Sequence, residues 1–249
     1  MKINIDNFKT VLKKSTLNHN IDNVQLVFTD KTVKSRMISS SRDAISILNI
    51  DNNILMGIKK DEEIQFNFIE PSQSLIPFLN LIDDDEANIK IHNEKIVIIS
   101  GSQRSNIHFS SPNIISVFTQ DSPKEGIEYF LELKLTDDFI ANMIKIKKIS
   151  SRFKNIYFNV ENGMFSMETT DKTNKFSNGM KFDIVNISDI KDLTICFDQI
   201  NIMNLMAVIG SDYDNFSFSF SFIEDVELGM LFANKSDGSE KYFIMSRTE

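Results

Sequence analysis

Lysines recur at helical spacing in two distant segments, and they are the residues whose type and spacing point most directly to a chemistry. Lys9 and Lys13 are four residues apart, and Lys145 and Lys148 are three apart, so each pair shares one face of a predicted helix. Ammonium groups on a helix compensate the charge of nucleic-acid phosphates without reading bases. Either segment alone is explained as a solvated helix surface. Their recurrence at matching places favours sequence-independent phosphate binding.

The motifs that catalysis or metal binding require are missing from the sequence. There is no glycine-rich phosphate loop, and the whole chain has eight glycines. The three histidines, His19, His92 and His108, are far apart and have no CxxC or HExxH partner. The carboxylate run 83–86 and the serine run 39–41 are interpreted as a solvated loop and a turn. The sequence therefore predicts no enzyme, no bound metal and no cofactor.

The charge of the chain is segregated by element. The formal net charge is −8 at pH 7, which opposes casual binding to a polyanion. Segment 144–154 nevertheless carries five cationic residues and no acidic one. Acidic residues gather elsewhere, at 83–86, 212–214 and 224–227. A cationic surface on an acidic protein is therefore expected.

The sequence also indicates a compartment. The single Cys196 lies in an alternating apolar run and is interpreted as a core residue in a reducing environment. No apolar stretch approaches the roughly 18 residues that span a bilayer, and the first seven residues lack a signal-peptide pattern. We therefore expect a cytoplasmic protein without a membrane segment, in the host cytoplasm if it is viral.

The elements that must position the lysines occur twice. Residues 1–110 and 128–249 carry the same order of signals, displaced by roughly 130 positions: strand, helix, run of strands, helix, three strands. Between them, 111–127 holds Pro112 and Pro123 around an apolar patch, which predicts an extended connector lying against something. The predicted organisation is an N-terminal domain, this connector and a C-terminal domain.

The pattern predicts an α+β fold, with two tandem similar domains of antiparallel β-sheets and two helices each. Asp6 is the expected cap of the first helix, and Pro77 is expected to bend the second. Asn162-Gly163 predicts a tight hairpin turn. Phenylalanines alternate with serines over 216–222, which predicts a strand covered on one side only. The predicted helices lie near 7–16, 71–82, 136–149 and 199–210.

With these elements in place, the sequence resembles the sliding clamps, the ring-shaped processivity factors of DNA polymerases. It is similar to the PCNA-like clamps, and within the family to the two-domain clamps of tailed bacteriophages. The resemblance lies in segment 78–91, in 144–148 followed by the strand at 156–160, and in the closing strand 240–247. It extends over nearly the whole chain as spaced hydrophobic and basic positions.

The resemblance implies a closed homotrimer whose helices line a hole for duplex DNA. The second helices of this chain contain no Lys or Arg, which departs from that plan. Their polar residues Ser72, Gln73, Asn201 and Asn204 are the alternative phosphate contacts. The lining that the resemblance implies is Lys13, Lys145 and Lys148, with Lys9, Lys14, Lys147 and Arg152 as additions.

The family also recruits a C-terminal peptide of the DNA polymerase into an apolar pocket near the connector and the last strand, and a clamp loader ATPase opens the ring. For Phe243 and Met245, a plain core position is an equally good interpretation. A clamp that also serves in viral late transcription would have the same sequence features. The pocket positions implied by the resemblance are Met37, Ala44, Ile115, Val117, Phe118, Phe243 and Met245.

A rival interpretation from another class stays open at this point. Repeated β-rich domains also build structural or assembly proteins, such as a phage virion component, with no DNA-tethering role. An enzyme would need a pocket with convergent titratable groups, and no such set is evident from the residues.

Overall fold

The computed structural model describes residues 1–120, 122–123, 127–149, 153–172, 178–188, 190–223 and 227–247. The chain divides into two compact units. The first unit comprises Met1–Asp121 and Asp237–Lys241, and the second comprises Ser122–Ser236 and Tyr242–Glu249. The predicted domain limits, with 111–127 as a separate connector, stay a prediction. No helix in the described ranges is long and apolar enough to cross a membrane.

The described part of the first unit is built from antiparallel strands, three short α-helices and a 3₁₀ helix at Pro112–Ile114. Its helices are α1 (Ile5–Ser15), α2 (Pro71–Ser74) and α3 (Ile76–Leu79). Its strands are β1 (Lys2–Asn4), β2 (Asn23–Phe28), β3 (Thr32–Ile38), β4 (Ala44–Asp51), β5 (Leu55–Met56), β6 (Ile64–Ile69), β7 (Glu86–Ile91), β8 (Lys95–Ser100) and β9 (Gln103–His108). The strand orders are β4-β3-β2-β6 and β5-β1-β7-β8-β9.

Helix α1 begins where the sequence supplies a polar cap and an apolar stripe. The Asn7 N–H donates to Asn4 Oδ1 at 2.8 Å, so Asn4 is the cap and the prediction of Asp6 is wrong. The reason is that the helix begins at Ile5, which places Asp6 in the first turn, where a carboxylate favours the helix dipole. Phe8 and Leu12 bury one face of the helix against the sheet.

Pro77 divides the predicted helix 71–82 into two four-residue helices, α2 and α3. Proline has no N–H to donate to the preceding turn, and here it sits near the start of α3, where none is needed. The predicted bend is therefore confirmed. Leu75 and Leu79 remain buried, so the interrupted helix still covers the core.

The second unit repeats this topology with longer helices. Its helices are α4 (Asp137–Ile149) and α5 (Gln199–Ile209). Its strands are β10 (Leu131–Lys134), β11 (Asn155–Glu161), β12 (Met164–Thr169), β13 (Met180–Asn186), β14 (Leu193–Asp198), β15 (Phe216–Ile223), β16 (Leu228–Lys235) and β17 (Glu240–Met245). The strand orders are β13-β12-β11-β14 and β10-β15-β16-β17. The predicted α+β architecture is confirmed.

A tight turn and a close approach between strands shape the sheets of the second unit. Asn162 and Gly163 both adopt positive φ, 50° and 75°, as the predicted tight β11–β12 turn requires. At Gly229 a Cβ atom would lie 2.1 Å from Ile195 Cγ2, so only glycine lets β16 approach β14. The Gly229 N–H donates to Ser246 Oγ at 2.7 Å and anchors the chain end there.

Strand β15 corrects one prediction. Phe216, Phe218 and Phe220 are buried as expected, but Ser219 and Ser221 are only 8% and 1% exposed. Both faces of the strand are therefore covered. The alternation of serine with phenylalanine shows which face of the strand is polar, but it does not show whether that face is exposed. Strand β15 lies between β10 and β16, and such an interior strand can bury small hydroxyl groups as well.

Candidate nucleic-acid interface

The three lysines of α1 have different environments. Lys9 Nζ lies 2.7 Å from Asp6 Oδ1, one turn earlier on the same helix. Lys14 Nζ lies 2.6 Å from Glu240 Oε1. Lys13 is exposed, and within the described residues no carboxylate lies within salt-bridge distance of it. Of the three, Lys13 is best placed to meet an external anion.

The Lys14 ion pair stabilises the first unit. The Glu240 side chain is 2% exposed and the Lys14 side chain 21% exposed. The Ser46 hydroxyl donates to the Lys14 carbonyl at 3.0 Å, which holds the end of α1 against β4. A carboxylate buried this deeply needs its ammonium partner, so the Lys14 ammonium group is already paired within the first unit.

Helix α4 carries its three lysines, Lys145, Lys147 and Lys148, near its C-terminal end. Asp137 and Asp138 lie in its first turn and Lys147 and Lys148 in its last, which suits the helix dipole at both ends. Lys147 and Lys148 are exposed, and among the described residues no carboxylate lies within salt-bridge distance of Lys148. Arg152 falls outside the described residues.

Lys145 is exposed and contacts two neighbouring side chains. Its Nζ donates to Asn142 Oδ1 at 3.1 Å and lies 5.5 Å from the centroid of the Phe182 ring. Phe182 belongs to β13, an edge strand. Lys145 and Lys148 are both exposed on the continuous helix α4, three residues apart as the sequence showed. Ile144, which is 51% exposed, lies next to Lys145 in sequence.

The second helices contribute no cation, and their polar side chains only partly substitute. Asn201 is 8% exposed and is buried with the core of α5, so it is not an accessible phosphate contact. Gln199 is 2% exposed. The most exposed large residue of α5 is the apolar Ile200, at 66%. Ser72, Gln73 and Asn204 keep some exposure.

The residues predicted to receive a partner peptide fall into two groups. Met37, Ala44, Ile115, Val117 and Phe118 belong to the first unit, and Phe243 and Met245 to the second. Met37 and Ala44 are fully buried, and Phe243 is 2% exposed, so these three are core positions in the free chain. Val117, at 37%, is the most exposed of the set.

Segment 116–118 pairs with the end of β3, beyond the point where the pairing of β2 with β3 ends. The β2–β3 ladder reaches only Lys34 on β3. Beyond it, Met37 and Val117 form an antiparallel bridge, and the Phe118 N–H donates to the Arg36 carbonyl at 2.9 Å. The predicted apolar patch therefore does lie against a surface, and it leaves Val117 and Ile114 at 37% and 52% exposure.

An exposed aromatic in the second unit was missed. Tyr129 is 38% exposed and stacks on Phe232, with ring centroids 5.7 Å apart, while Phe232 stacks on Phe243 at 4.5 Å. Partial burial raises the pKa of the Tyr129 hydroxyl. No pattern in the sequence predicts the stacking of Tyr129, because Phe232 and Phe243 are far from it along the chain. They come together with Tyr129 only when the strands of the second unit fold.

The described residues offer little for catalysis. Among them, no three His, Cys, Asp or Glu side chains are grouped to hold a metal ion. A cavity of about 270 Å³ in the first unit is lined by His19, Asp22 and Glu70 together with Ile21, Pro71, Ser72 and Gln73. Its carboxylates and the lack of a lining cation disfavour a phosphate there.

Solved structures with the same architecture were found, although the sequence matches no protein-family model and no curated protein. The chain is similar to A. fulgidus PCNA, in a structure with the C-terminal region of FEN-1 bound, with a TM-score of 0.66 and 13% identity over 100% of this chain and 98% of that one. PCNA from Thermococcus kodakaraensis gives 0.62 and 12% identity over 99% of both.

Bacterial clamps have the same fold in a longer chain. The DNA polymerase sliding clamp from Bacillus subtilis matches with a TM-score of 0.69 and 9% identity, over 100% of this chain and 64% of that one. At such identities the likeness establishes the fold. This chain has the sliding-clamp fold over its whole length, as the resemblance in its sequence predicted.

Proposed function

We propose that this protein is a sliding clamp that encircles duplex DNA as a ring, tethers a replicative DNA polymerase and acts without catalysis. The observation that carries the proposal is the end-to-end match to PCNA, which leaves almost no part of either chain uncovered. Topological linkage then provides processivity. The rival role, a structural protein without DNA, is not favoured by these matches.

The proposed DNA contacts are loose and electrostatic. Lys13 and Lys148 are the main candidates, because they are exposed and no carboxylate of the described chain neutralises them. Lys147 and Lys145 add charge on α4. Lys9 and Lys14 are held by Asp6 and Glu240, so we assign them a smaller part. Exchangeable phosphate contacts permit sliding, and the acidic remainder repels DNA.

The remaining partners follow from the same proposal. A PCNA has been solved with the C-terminal region of FEN-1 bound, and we propose that a C-terminal polymerase peptide binds here beside Val117 and Ile114. Both are exposed apolar residues next to the buried pocket positions. A homotrimer, a clamp loader ATPase and a cytoplasmic location complete the proposal. The bacteriophage type stays a prediction.

Retention on circular DNA tests the topological part. Protein loaded on a nicked circle should remain bound at salt concentrations that abolish ordinary phosphate contacts, and linearising the circle should release it. Equal salt sensitivity on both templates would rule out encirclement.

Charge variants test the lining. Lys13→Gln and Lys148→Gln should each lower the salt-dependence slope of binding to short duplexes by about 3 in a trimer, since each removes one phosphate contact per subunit and each contact contributes about 0.9. Lys60→Gln, at an exposed turn between β5 and β6, is the matched control. Slopes unchanged in the helix variants would exclude these lysines as contacts.

A further inference from the structure

The β2–β3 hairpin of the first unit is paired only next to its turn. Within the described residues, the two strands form two residue pairs, of which Val27 with Lys34 is the farther from the turn. Both strands continue beyond this pair without pairing to each other. We call this unpaired part, residues 23–26 of β2 and 35–38 of β3, the fork.

The equivalent hairpin of the second unit has no fork. Strands β11 and β12 hold the same places in β13-β12-β11-β14 as β2 and β3 hold in β4-β3-β2-β6. They form five residue pairs, from Tyr157 with Glu168 to Glu161 with Met164. Strand β2 has six residues and β11 has seven, so strand length does not explain the difference. The fork therefore comes from the surroundings of β2 and β3.

The connector fills the fork on the side of β3. Its segment 116–118 runs antiparallel to the end of that strand. The Phe118 N–H donates to the Arg36 carbonyl at 2.9 Å, and the Ile38 N–H donates to the Ser116 carbonyl at 3.4 Å. The connector thus takes the place beside β3 that β2 would hold in a fully paired hairpin.

A fully paired hairpin needs the same backbone groups. In an antiparallel ladder, facing residues alternate between pairs that exchange two hydrogen bonds and pairs that exchange none, and the turn bond from the Thr29 N–H sets the phase. Continued along this register, Gln25 exchanges hydrogen bonds with Arg36. Asn23 then exchanges them with Ile38. Because the Arg36 carbonyl and the Ile38 N–H are bonded to the connector, the two arrangements compete.

The strands themselves favour full pairing. The Gln25 N–H, which the register directs to the Arg36 carbonyl, donates instead to Met37 Sδ at 3.2 Å, and a thioether sulfur is a weak acceptor. Full pairing also sets the buried Val24 opposite the buried Met37, and the half-buried Gln25 opposite the half-buried Arg36. The fork is therefore held open by the connector.

We propose that the β2–β3 hairpin is a latch with two states. In the forked state, which this structure shows, the connector fills the fork. In the paired state, β2 and β3 pair along their whole length and segment 114–118 is released. The forked state buries Ile115 and Phe118, at 8% and 9% exposure, whereas the paired state replaces the hydrogen bond to sulfur by bonds to carbonyl oxygen. These gains oppose each other, so a ligand that prefers one state shifts the balance.

The latch controls how two exposed apolar residues are presented. Ile114 and Val117 lie on the connector, and Asn23 Nδ2 of β2 donates to the Ile114 carbonyl at 3.5 Å. Both residues hold their present positions only while the connector is seated. A partner that binds both therefore shifts the latch toward the forked state. For the polymerase peptide this consequence rests on the proposed function, whereas the latch itself rests on the first unit alone.

Hydrogen exchange of the full-length protein tests the latch through an effect of unusual sign. Phe118→Ala removes a buried side chain of the connector and should shift the chain toward the paired state. The Gln25 amide should then exchange at least about tenfold more slowly, because it donates to a carbonyl, while the amides of 114–118 exchange faster. Ile114→Ala, at a side chain that is 52% exposed, is the control and should change neither. Gln25 exchange that is unchanged or faster in Phe118→Ala would overturn the latch.

Two cysteine pairs that share position 37 trap the two states. Met37 faces Val117 in the forked state and Val24 in the paired state, and neither pair exchanges backbone hydrogen bonds, which brings the side chains close. On mild oxidation, Met37→Cys with Val117→Cys should form a disulfide quickly, and Met37→Cys with Val24→Cys more slowly. The unmodified chain, in which Cys196 is buried, is the control.

Adding Phe118→Ala to each cysteine pair makes this test independent of the absolute rates. It should slow the disulfide between positions 37 and 117 and speed the one between 24 and 37, as peptide mapping by mass spectrometry measures. Circular dichroism confirms that each variant is folded. A pair at 24 and 37 that never forms, or that Phe118→Ala slows, would overturn the paired state.

Failure of the latch differs from failure of the proposed function. A chain that is retained on circular DNA but shows neither the slower Gln25 exchange nor the disulfide at 24 and 37 would overturn the latch and leave the clamp intact. A chain that shows both effects but leaves circles as easily as linear DNA would overturn the clamp and leave the latch intact.

Discussion

Helices α1 and α4 occupy the same position in two units of the same topology, yet they use their lysines differently. In α1, Lys9 and Lys14 are held by carboxylates, and Lys14 by one that is buried. In α4, Lys145 lies over an aromatic ring, and Lys148 meets no carboxylate of the described chain. The number of lysines on a helix therefore does not measure the charge that the helix offers to a ligand.

The second helix of the first unit is interrupted and that of the second unit is continuous, yet both cover the core of their unit. Pro77 breaks the first unit's helix into α2 and α3, whereas α5 runs unbroken over eleven residues. Leu75 and Leu79 in one unit, and Leu205 and Val208 in the other, are buried in the same way. Covering the sheet requires apolar residues at one face and tolerates a bend.

Each unit has its own cluster of buried aromatic rings, and truncating one ring in each cluster tests whether the two cores are independent. Phe66 lies within 6.3 Å of four other rings, and Phe158 within 5.8 Å of three. Both are fully buried, so Phe66→Ala and Phe158→Ala should each lower the free energy of unfolding by about 3–5 kcal/mol.

Urea unfolding measures the loss, and amide hydrogen exchange shows where it falls. Each variant should raise exchange mainly within its own unit. Phe78→Ala, at a ring that is 54% exposed, is the control and should stay within about 0.5 kcal/mol of the unmodified protein. Equal opening of both units by either core variant would contradict the picture of two cores.

The lysines of α1 offer a contrast of intermediate size. Lys14→Met leaves the buried Glu240 carboxylate without its ammonium partner and should cost about 2–3 kcal/mol of stability. Lys9→Met removes a contact with an exposed aspartate and should cost less than about 0.5 kcal/mol. Thermal unfolding followed by circular dichroism measures both.

A second substitution shows whether the cost of Lys14→Met comes from the stranded charge. Adding Glu240→Gln should recover part of the loss, because no carboxylate then remains buried. A loss that is the same with and without Glu240→Gln would mean that Lys14 acts through packing alone.

Another small effect is expected at the edge strand β13. Lys181 Nζ lies 2.5 Å from Glu161 Oε2 and ties β13 to the β11–β12 turn. The hydrogen bond from Lys181, together with its charge, lowers the pKa of the Glu161 carboxyl. A lowered pKa in the folded state gives stability that is present above the unfolded pKa of about 4.3 and is lost as the pH falls through the folded value.

Lys181→Gln should therefore cost at most about 0.5–1 kcal/mol at pH 7, because both side chains are largely exposed. The difference from the unmodified protein should vanish near pH 3. Urea unfolding at the two pH values measures it, with Lys60→Gln as a variant that should show no such change. A difference that persists at pH 3 would exclude the ion pair as its source.

Local chemistry made much of the fold predictable. The bend at Pro77 and the turn at Asn162-Gly163 follow from backbone constraints that act within a few residues, and both are confirmed. The apolar spacing of Phe8 and Leu12 marks the buried face of α1 wherever that helix packs. The duplicated order of elements, and with it the α+β class, follows from the same short-range patterns.

Nothing in the sequence indicated the contacts between residues that are distant along the chain. Glu240 lies 226 residues from Lys14, so nothing near Lys14 in sequence indicates their ion pair. The burial of Ser219 and Ser221 depends on what covers the second face of β15. The half-exposed position of Tyr129 depends on Phe232, on which it stacks, and on Phe243, which stacks on Phe232.

The elements, their order and the segregation of charge could be predicted from the amino acids alone, because periodicity, turn residues and caps act over a few positions. Which lysines are available, which strands lie at sheet edges and which apolar residues are exposed became clear from the folded chain. Those properties are set by long-range pairing and burial, and a side chain's charge or polarity does not specify the neighbour it will meet.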